Sequence, residues 1–312
     1  MNKRFSGYLI AVGLLMSGII AINRVNDAVA KEINIQVSPA SFEYSLNPGE
    51  IVNGEFLFVN RGDMTIDYEA KATPYSSTSD TENGGQKVDY QTESNYTQIT
   101  KWVTFSDNSK GVLAPGEDVK ISFSVSVPKD VPNGGQYAAL LVESKASRSN
   151  PEDGTSIAEN ASIGPVIYAK VNGSTRETAE IVKNDTNGFI FNPPIVVDSI
   201  VKNTGNVHTK ASYIMRVYPF FGGESIYSNE DNPSTVMVLP DASRYFSLSW
   251  DGAPAIGIYK VQSEVRIFDQ VSKIEKIVII CPMWVLILII AFILAVIFWI
   301  VSRIKTRKKA TV

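Results

Sequence analysis

The chain has 312 residues with 29 Lys/Arg against 32 Asp/Glu, a net charge of −3, and contains one cysteine and one histidine. That inventory excludes a disulfide-stapled scaffold and a zinc site built from several His or Cys ligands. The near-neutral total conceals an asymmetry: residues 31–276 carry 21 Lys/Arg against 31 Asp/Glu, net −10, so nucleic acid is not an expected partner.

At the N-terminus, Lys3 and Arg4 precede an apolar run over residues 8–22, and Ala28, Val29 and Ala30 follow. This is the pattern of a signal peptide over residues 1–30, cleaved after Ala30; an uncleaved anchor is the alternative reading of the same run. Both readings place the next stretch outside the cytosol.

From Ile33 onward the residues read as strands. Ile33-Asn34-Ile35-Gln36-Val37 alternates apolar and polar side chains, as a half-buried strand does. Asn47-Pro48-Gly49-Glu50 is turn chemistry, and a strand over 52–59, a tight turn at Asn60-Arg61-Gly62-Asp63 and a strand over 64–72 follow. A second Pro-Gly turn, Ala114-Pro115-Gly116-Glu117, precedes the cleanest alternation in the chain, 119–127, which Pro128 ends. Residues 137–142 and 163–171 supply two more strands, and the Ser- and Asn-rich stretch 144–162 between them reads as a solvated loop. No part of residues 31–276 keeps a helical period for long. The expected fold is therefore all-β.

Past residue 173 the pattern restarts. Asn203-Thr204-Gly205-Asn206 takes the place of the Asn60 turn, Leu239-Pro240-Asp241-Ala242 that of the second Pro-Gly turn, and Gly257 with Tyr259 that of Gly134 with Tyr137. This internal repeat predicts two tandem β-sandwiches, over 31–175 and 176–280. Residues 281–301 are then uncharged; the twenty from Pro282 to Val301, at the helical rise, reach roughly 30 Å, enough for a transmembrane helix. Trp284 and Trp299 stand near its ends, and the tail 302–312 begins with Arg303 and Lys305, cations that stay in the cytosol. These four residues are the expected membrane anchor, with the lipid bilayer as their partner.

With a signal peptide, tandem immunoglobulin-like domains, a single C-terminal span and a basic tail, the chain resembles the WxL-interacting surface proteins of Gram-positive bacteria. The resembling stretches are Pro115-Gly116-Glu117 with the strand after it, Val131-Pro132-Asn133-Gly134-Gly135-Gln136-Tyr137, Asn203-Thr204-Gly205-Asn206-Val207-His208, and Val238-Leu239-Pro240 with the strand over 245–250. The resemblance implies two immunoglobulin-like sandwiches. It also implies that the first holds other surface proteins or cell-wall glycan while the second contacts host material. Pilus chaperones share the two-domain plan, but the C-terminal helix argues against that role.

Little in the sequence points to catalysis. The single histidine, His208, reads as a strand-edge residue rather than a member of a triad. No phosphate-binding loop and no calcium-binding loop appear, so neither a cofactor nor an enzymatic activity is expected. The acidic turns at 151–154 and 229–232 read as solvated. Arg61-Gly62-Asp63 matches an integrin-binding tripeptide, but its glycine is explained by the turn alone. A stronger binding candidate is the long polar connection 73–100, whose Tyr75, Tyr90 and Tyr96 offer amphipathic contact area among small polar residues. The alternative is a flexible polar loop covering one end of the sandwich. The expected role is a membrane-anchored binding or attachment protein; a stalk without a ligand and an accessory subunit of a membrane complex are the alternatives.

Overall fold

The computed structural model describes residues 33–79, 85–150 and 155–309; for 147–150, 155–159 and 304–309 the description covers the backbone only. The expected signal peptide and the acidic turn 151–154 lie outside the described residues.

In chain order come β1 (Ile35–Ser38), β2 (Ser41–Leu46), β3 (Ile51–Asn60), β4 (Ile66–Pro74), β5 (Ser76–Ser79) and β6 (Gln86–Asp89). They are followed by β7 (Val103–Phe105), β8 (Lys110–Leu113), β9 (Asp118–Ser126), β10 (Gly134–Asn150), β11 (Thr155–Ile163) and β12 (Val166–Val171). One sheet runs β1-β3-β9-β7 and the other β2-β12-β10-β4-β8. Their inner faces close on Phe56, Phe58, Ile121 and Phe123 from the first sheet and Ile66, Leu140 and Ile167 from the second. The period-two alternation read from the sequence puts these side chains inside, each contributing roughly 2 kcal/mol of transfer free energy.

The second sandwich uses β13 (Ala179–Thr186), β14 (Phe189–Ile190), β15 (Ile195–Asn203), β16 (Thr209–Pro219) and β17 (Tyr227–Ser228). To these it adds β18 (Ser234–Val238), β19 (Ser243–Trp250), β20 (Gly257–Ile267) and β21 (Gln270–Ile280). Its sheets run β13-β15-β19 and β14-β21-β20-β16-β17, with Ile195, Val197 and Trp250 facing Tyr213, Met215, Val261 and Val278. In each sandwich a short early strand pairs in parallel with the last one, β2 with β12 and β14 with β21. The chain is thus an all-β pair of immunoglobulin-like sandwiches followed by one apolar helix, α1 (Met283–Lys309). Helix α1 continues past Val301 through the basic tail to Lys309.

The repeat holds at the level of single hydrogen bonds. Asn60 is fully buried; its Nδ2 donates to the carbonyls of Met64 (2.7 Å) and Leu113 (3.1 Å), and its Oδ1 accepts from Gly62 N (3.1 Å). Asn203 is equally buried, donates to Val207 O (2.7 Å) and Val238 O (3.1 Å), and accepts from Gly205 N (2.9 Å). The expected turns also repeat a device: Glu50 Oε2 accepts Asn47 N at 2.7 Å, and Glu117 Oε2 accepts Ala114 N at 2.8 Å.

Three expectations need correction. The glycine paired with Tyr137 is Gly135, not Gly134: a Cβ on Gly135 would meet the Tyr137 hydroxyl, as one on Gly257 would meet that of Tyr259. Both tyrosine rings fold back over a glycine two residues earlier on the same face of the strand. Residues 144–150 and 155–162 are strand rather than loop, because β10 and β11 pair from Val142↔Ile163 to Asn150↔Thr155. Their polar side chains hide the strand period, but strand pairing requires only the backbone. The polar connection 73–100 is regular in part: β5 and β6 pair as a ribbon and a 3-10 turn occupies Gln98–Lys101, while 90–97 has no strand or helix. Residues 80–84 of that stretch lie outside the described residues.

Candidate functional site

The tyrosines singled out in 73–100 gather where the two sandwiches meet. Tyr75 is 7% exposed and joins Tyr137, Ala139, Leu239 and Ala242 in a buried cluster, with Tyr96 and Tyr168 packed against it. Its ring stands edge-on to Tyr168 (6.0 Å, 88°) and tilted to Tyr90 (6.0 Å). Leu239 and Ala242 belong to the second sandwich, so Tyr75 and Tyr96 serve an internal seam. Tyr90 is exposed at its edge.

Around this apolar center the seam is polar. Gly135 N donates to Asn206 O (2.7 Å), Thr78 Oγ1 donates to Ser243 O (3.1 Å), and Arg244 Nη1 donates to Ser77 Oγ (2.8 Å). Lys210 Nζ lies 2.6 Å from Glu43 Oε1. His208 is half-buried, with its ring 5.5 Å from that of Tyr137 and 5.7 Å from that of Tyr168. It lies at the strand edge, as expected, but its neighbors come from the other sandwich. Burial holds His208 below the ordinary histidine value; Glu43 opposes this, and Lys170 and Lys210 reinforce it. Burial raises the Tyr137 and Tyr168 hydroxyls far above their usual value.

At the opposite end of the first sandwich, the β10–β11 hairpin projects. β10 stays paired to β4 only as far as Lys145↔Asp67, and residues 146–150 pair with β11 alone. Ala146 is still buried in the core, so four strand residues, 147–150, carry the hairpin about 13 Å past it. Along β3, β7 and β9, a shallow depression of about 630 Å³ is lined by polar Asn53, Glu55, Thr104, Ser106, Ser122 and Ser124 together with Gly54, Phe105 and Phe123. Sequence reasoning missed both features, although the outward polar positions of β9, Ser122 and Ser124, were the signal for the second.

Elsewhere several charges are occupied locally. Arg216 pairs with Glu230 on the acidic turn at 229–232, whose Asn229 Oδ1 accepts Met215 N at 2.7 Å. Arg61 Nε donates to Gln36 Oε1 (3.2 Å), which engages the arginine of the Arg-Gly-Asp turn within its own sheet. Glu264 is 3% exposed; burial pushes its carboxyl up, but Arg266 and Lys273 bring it below the ordinary value. Among the described residues, no three His, Cys, Asp or Glu side chains gather as a metal site.

Helix α1 begins two residues after β21, and Pro282 O caps it by accepting Val285 N (3.0 Å) and Leu286 N (3.1 Å). Residues Met283–Arg303 form a 21-residue stretch long and apolar enough to cross a membrane, with none of it buried against the sandwiches. Trp284 and Trp299 are 61% and 60% exposed, and the Arg303 guanidinium sits 5.4 Å from the Trp299 ring centroid. Lys305 lies further along the same helix; its side chain is outside the described residues.

No family model matches the chain, and no curated protein does. Solved structures similar to it include the E. coli chaperone DraB, at 12% identity and a TM-score of 0.38, covering 79% of this chain and 98% of that one. The class 5 fimbriae chaperone CfaA matches at 13% identity and a TM-score of 0.36, covering 78% and 99%. The Salmonella enterica SafA pilin–SafB chaperone complex matches at 12% and 0.36, covering 80% and 98%. The class assigned here, two immunoglobulin-like sandwiches with a C-terminal apolar helix, rests on the strand pairing described above.

Proposed function

We propose that this chain is a membrane-anchored surface protein whose first sandwich holds another surface protein, with cell-wall glycan as the alternative ligand. This is the role its sequence resemblance to the WxL-interacting proteins implies, and no enzymatic step belongs to it. Signal-peptide removal leaves residues 31–280 outside, α1 crosses the bilayer, and the cations after Val301 remain in the cytosol. The observation that carries the reading is the order of parts along the molecule. Helix α1 leaves the second sandwich at one end, the seam lies at that sandwich's other end, and the β10–β11 hairpin points away beyond it. A projecting element at the free end of an anchored protein is placed to meet partners.

Capture experiments test this with the full-length protein in detergent micelles, offered purified cell-wall glycan and, separately, purified secreted surface proteins. Residues 147–158 are replaced by an Asn-Gly turn, which suits a two-residue hairpin. Capture lost with unchanged thermal unfolding is the expected result; equal capture by the shortened protein contradicts the assignment to the hairpin. A spacer without its own ligand is the second reading. The seam favors it, because Tyr75 and Tyr96 are already occupied by the second sandwich. A spacer gives no capture with either form.

A further inference from the structure

The second sandwich changes character toward the root of α1. On the outer face of the β20–β21 hairpin, Lys260 and Glu275 form an ion pair at 3.3 Å. The next outward pair toward the helix, Ile258↔Ile279, is apolar and exposed. Strand register brings three further segments to the same end. β14 runs parallel to β21 with Phe189↔Ile279, so Phe189 and Phe191 flank the last strand residues before the helix. β16 ends at Pro219↔Tyr259, which sets the turn beginning Phe220-Phe221-Gly222-Gly223 at that level. The connection into β20 ends there too, at Ile256.

These segments present aromatic rings outward. Phe221 is 95% exposed, and Phe189, Phe191, Phe220 and Ile256 are between 40% and 52% exposed. Phe189 packs edge-on against Phe191 (5.3 Å, 87°), and Phe220 against Phe221 (5.1 Å, 78°). Two aromatic pairs on separate turns, both at the end where the apolar start of α1 departs, exceed the scattered apolar exposure of an ordinary surface. Exposed phenylalanine rings gain by burial at the boundary between headgroups and acyl chains, as on the apolar faces of interfacial protein elements.

We propose that this rim is a lipid-docking collar: Phe189, Phe191, Phe220, Phe221 and Ile256 sit in the headgroup layer around α1 and hold the second sandwich upright against the bilayer. The occupant is the lipid surface because the rim is continuous with the helix, only Cys281 and Pro282 separating β21 from α1. The proposal rests on the membrane-anchored reading above, and its test separates the two.

The full-length chain, with its one cysteine removed as Cys281→Ala, is reconstituted into vesicles of phosphatidylglycerol and phosphatidylcholine. A polarity-sensitive nitrobenzoxadiazole label is attached at one of three single cysteines: Phe221→Cys, Leu288→Cys within α1, or Asp269→Cys in the β20–β21 turn at the far end. At 221 the expected result is a blue-shifted emission, lost to a lipid-borne nitroxide near the headgroups and retained against aqueous iodide. The 269 label behaves oppositely, and the 288 label responds to a nitroxide deep in the acyl chains. A 221 label open to iodide while the 288 label stays in lipid overturns the collar and leaves the anchor standing. A 221 label shielded from both quenchers places protein against the rim and also overturns it. A 288 label open to iodide removes anchor and collar together.

Discussion

The Tyr137 hydroxyl of the first sandwich lies 3.3 Å from Nδ1 of His208 in the second, and His208 is the chain's one histidine. Burial of that imidazole makes the seam sensitive to acid. Burial holds the folded-state value of His208 below 6.5, so the unfolded chain takes up its proton first as pH falls. Stability from this group is complete above the ordinary value and declines as pH falls from there toward the lowered one. Carboxylates such as Glu264, held below 4.5, lose their contribution only at lower pH. The thermal stability of the detergent-solubilized chain should fall as the pH drops below the ordinary histidine value of 6.5, and His208→Gln should remove that slope.

Apolar contact, rather than the visible ion pair, is expected to dominate the seam. Glu43 and Lys210 are about half exposed, so Glu43→Gln should cost less than about 1 kcal/mol. Leu239 is 4% exposed against Tyr75 and Tyr137, and Leu239→Ala should cost about 2–4 kcal/mol, in the range for a buried truncation. Urea unfolding of the two variants checks the order; an equal or larger effect at Glu43 refutes it.

The two buried asparagines should respond alike. Asn60→Ala and Asn203→Ala each strand two buried carbonyls, at a cost of about 2 kcal/mol or more. An ionized Asp at either position fails to rescue stability, because a carboxylate accepts but does not donate. Denaturant unfolding with a probe in each sandwich should show each loss in its own sandwich.

Much of the fold was legible because its determinants are local. The alternation over 119–127, the Pro-Gly turns and the repeated Asn turn each fix a few residues by backbone geometry or by which face is buried. The hairpin over 142–163 was illegible for the opposite reason: Ser, Asn and Lys on both faces give no apolar period. The seam was hidden as well. Tyr75, Tyr137, His208 and Leu239 come from four distant stretches, and nothing local distinguishes a tyrosine packed on a neighboring domain from one awaiting a ligand. The collar follows the same rule, since Phe189 and Phe221 become neighbors of the helix root only through strand register.

The most direct test of display on an anchored helix is protease accessibility on intact cells, read with antibodies against the second sandwich and against residues 304–312. Outward display requires added protease to remove the sandwiches while the tail epitope survives on a membrane-protected fragment. Sandwiches that survive while the tail is clipped would reverse the topology and contradict surface attachment.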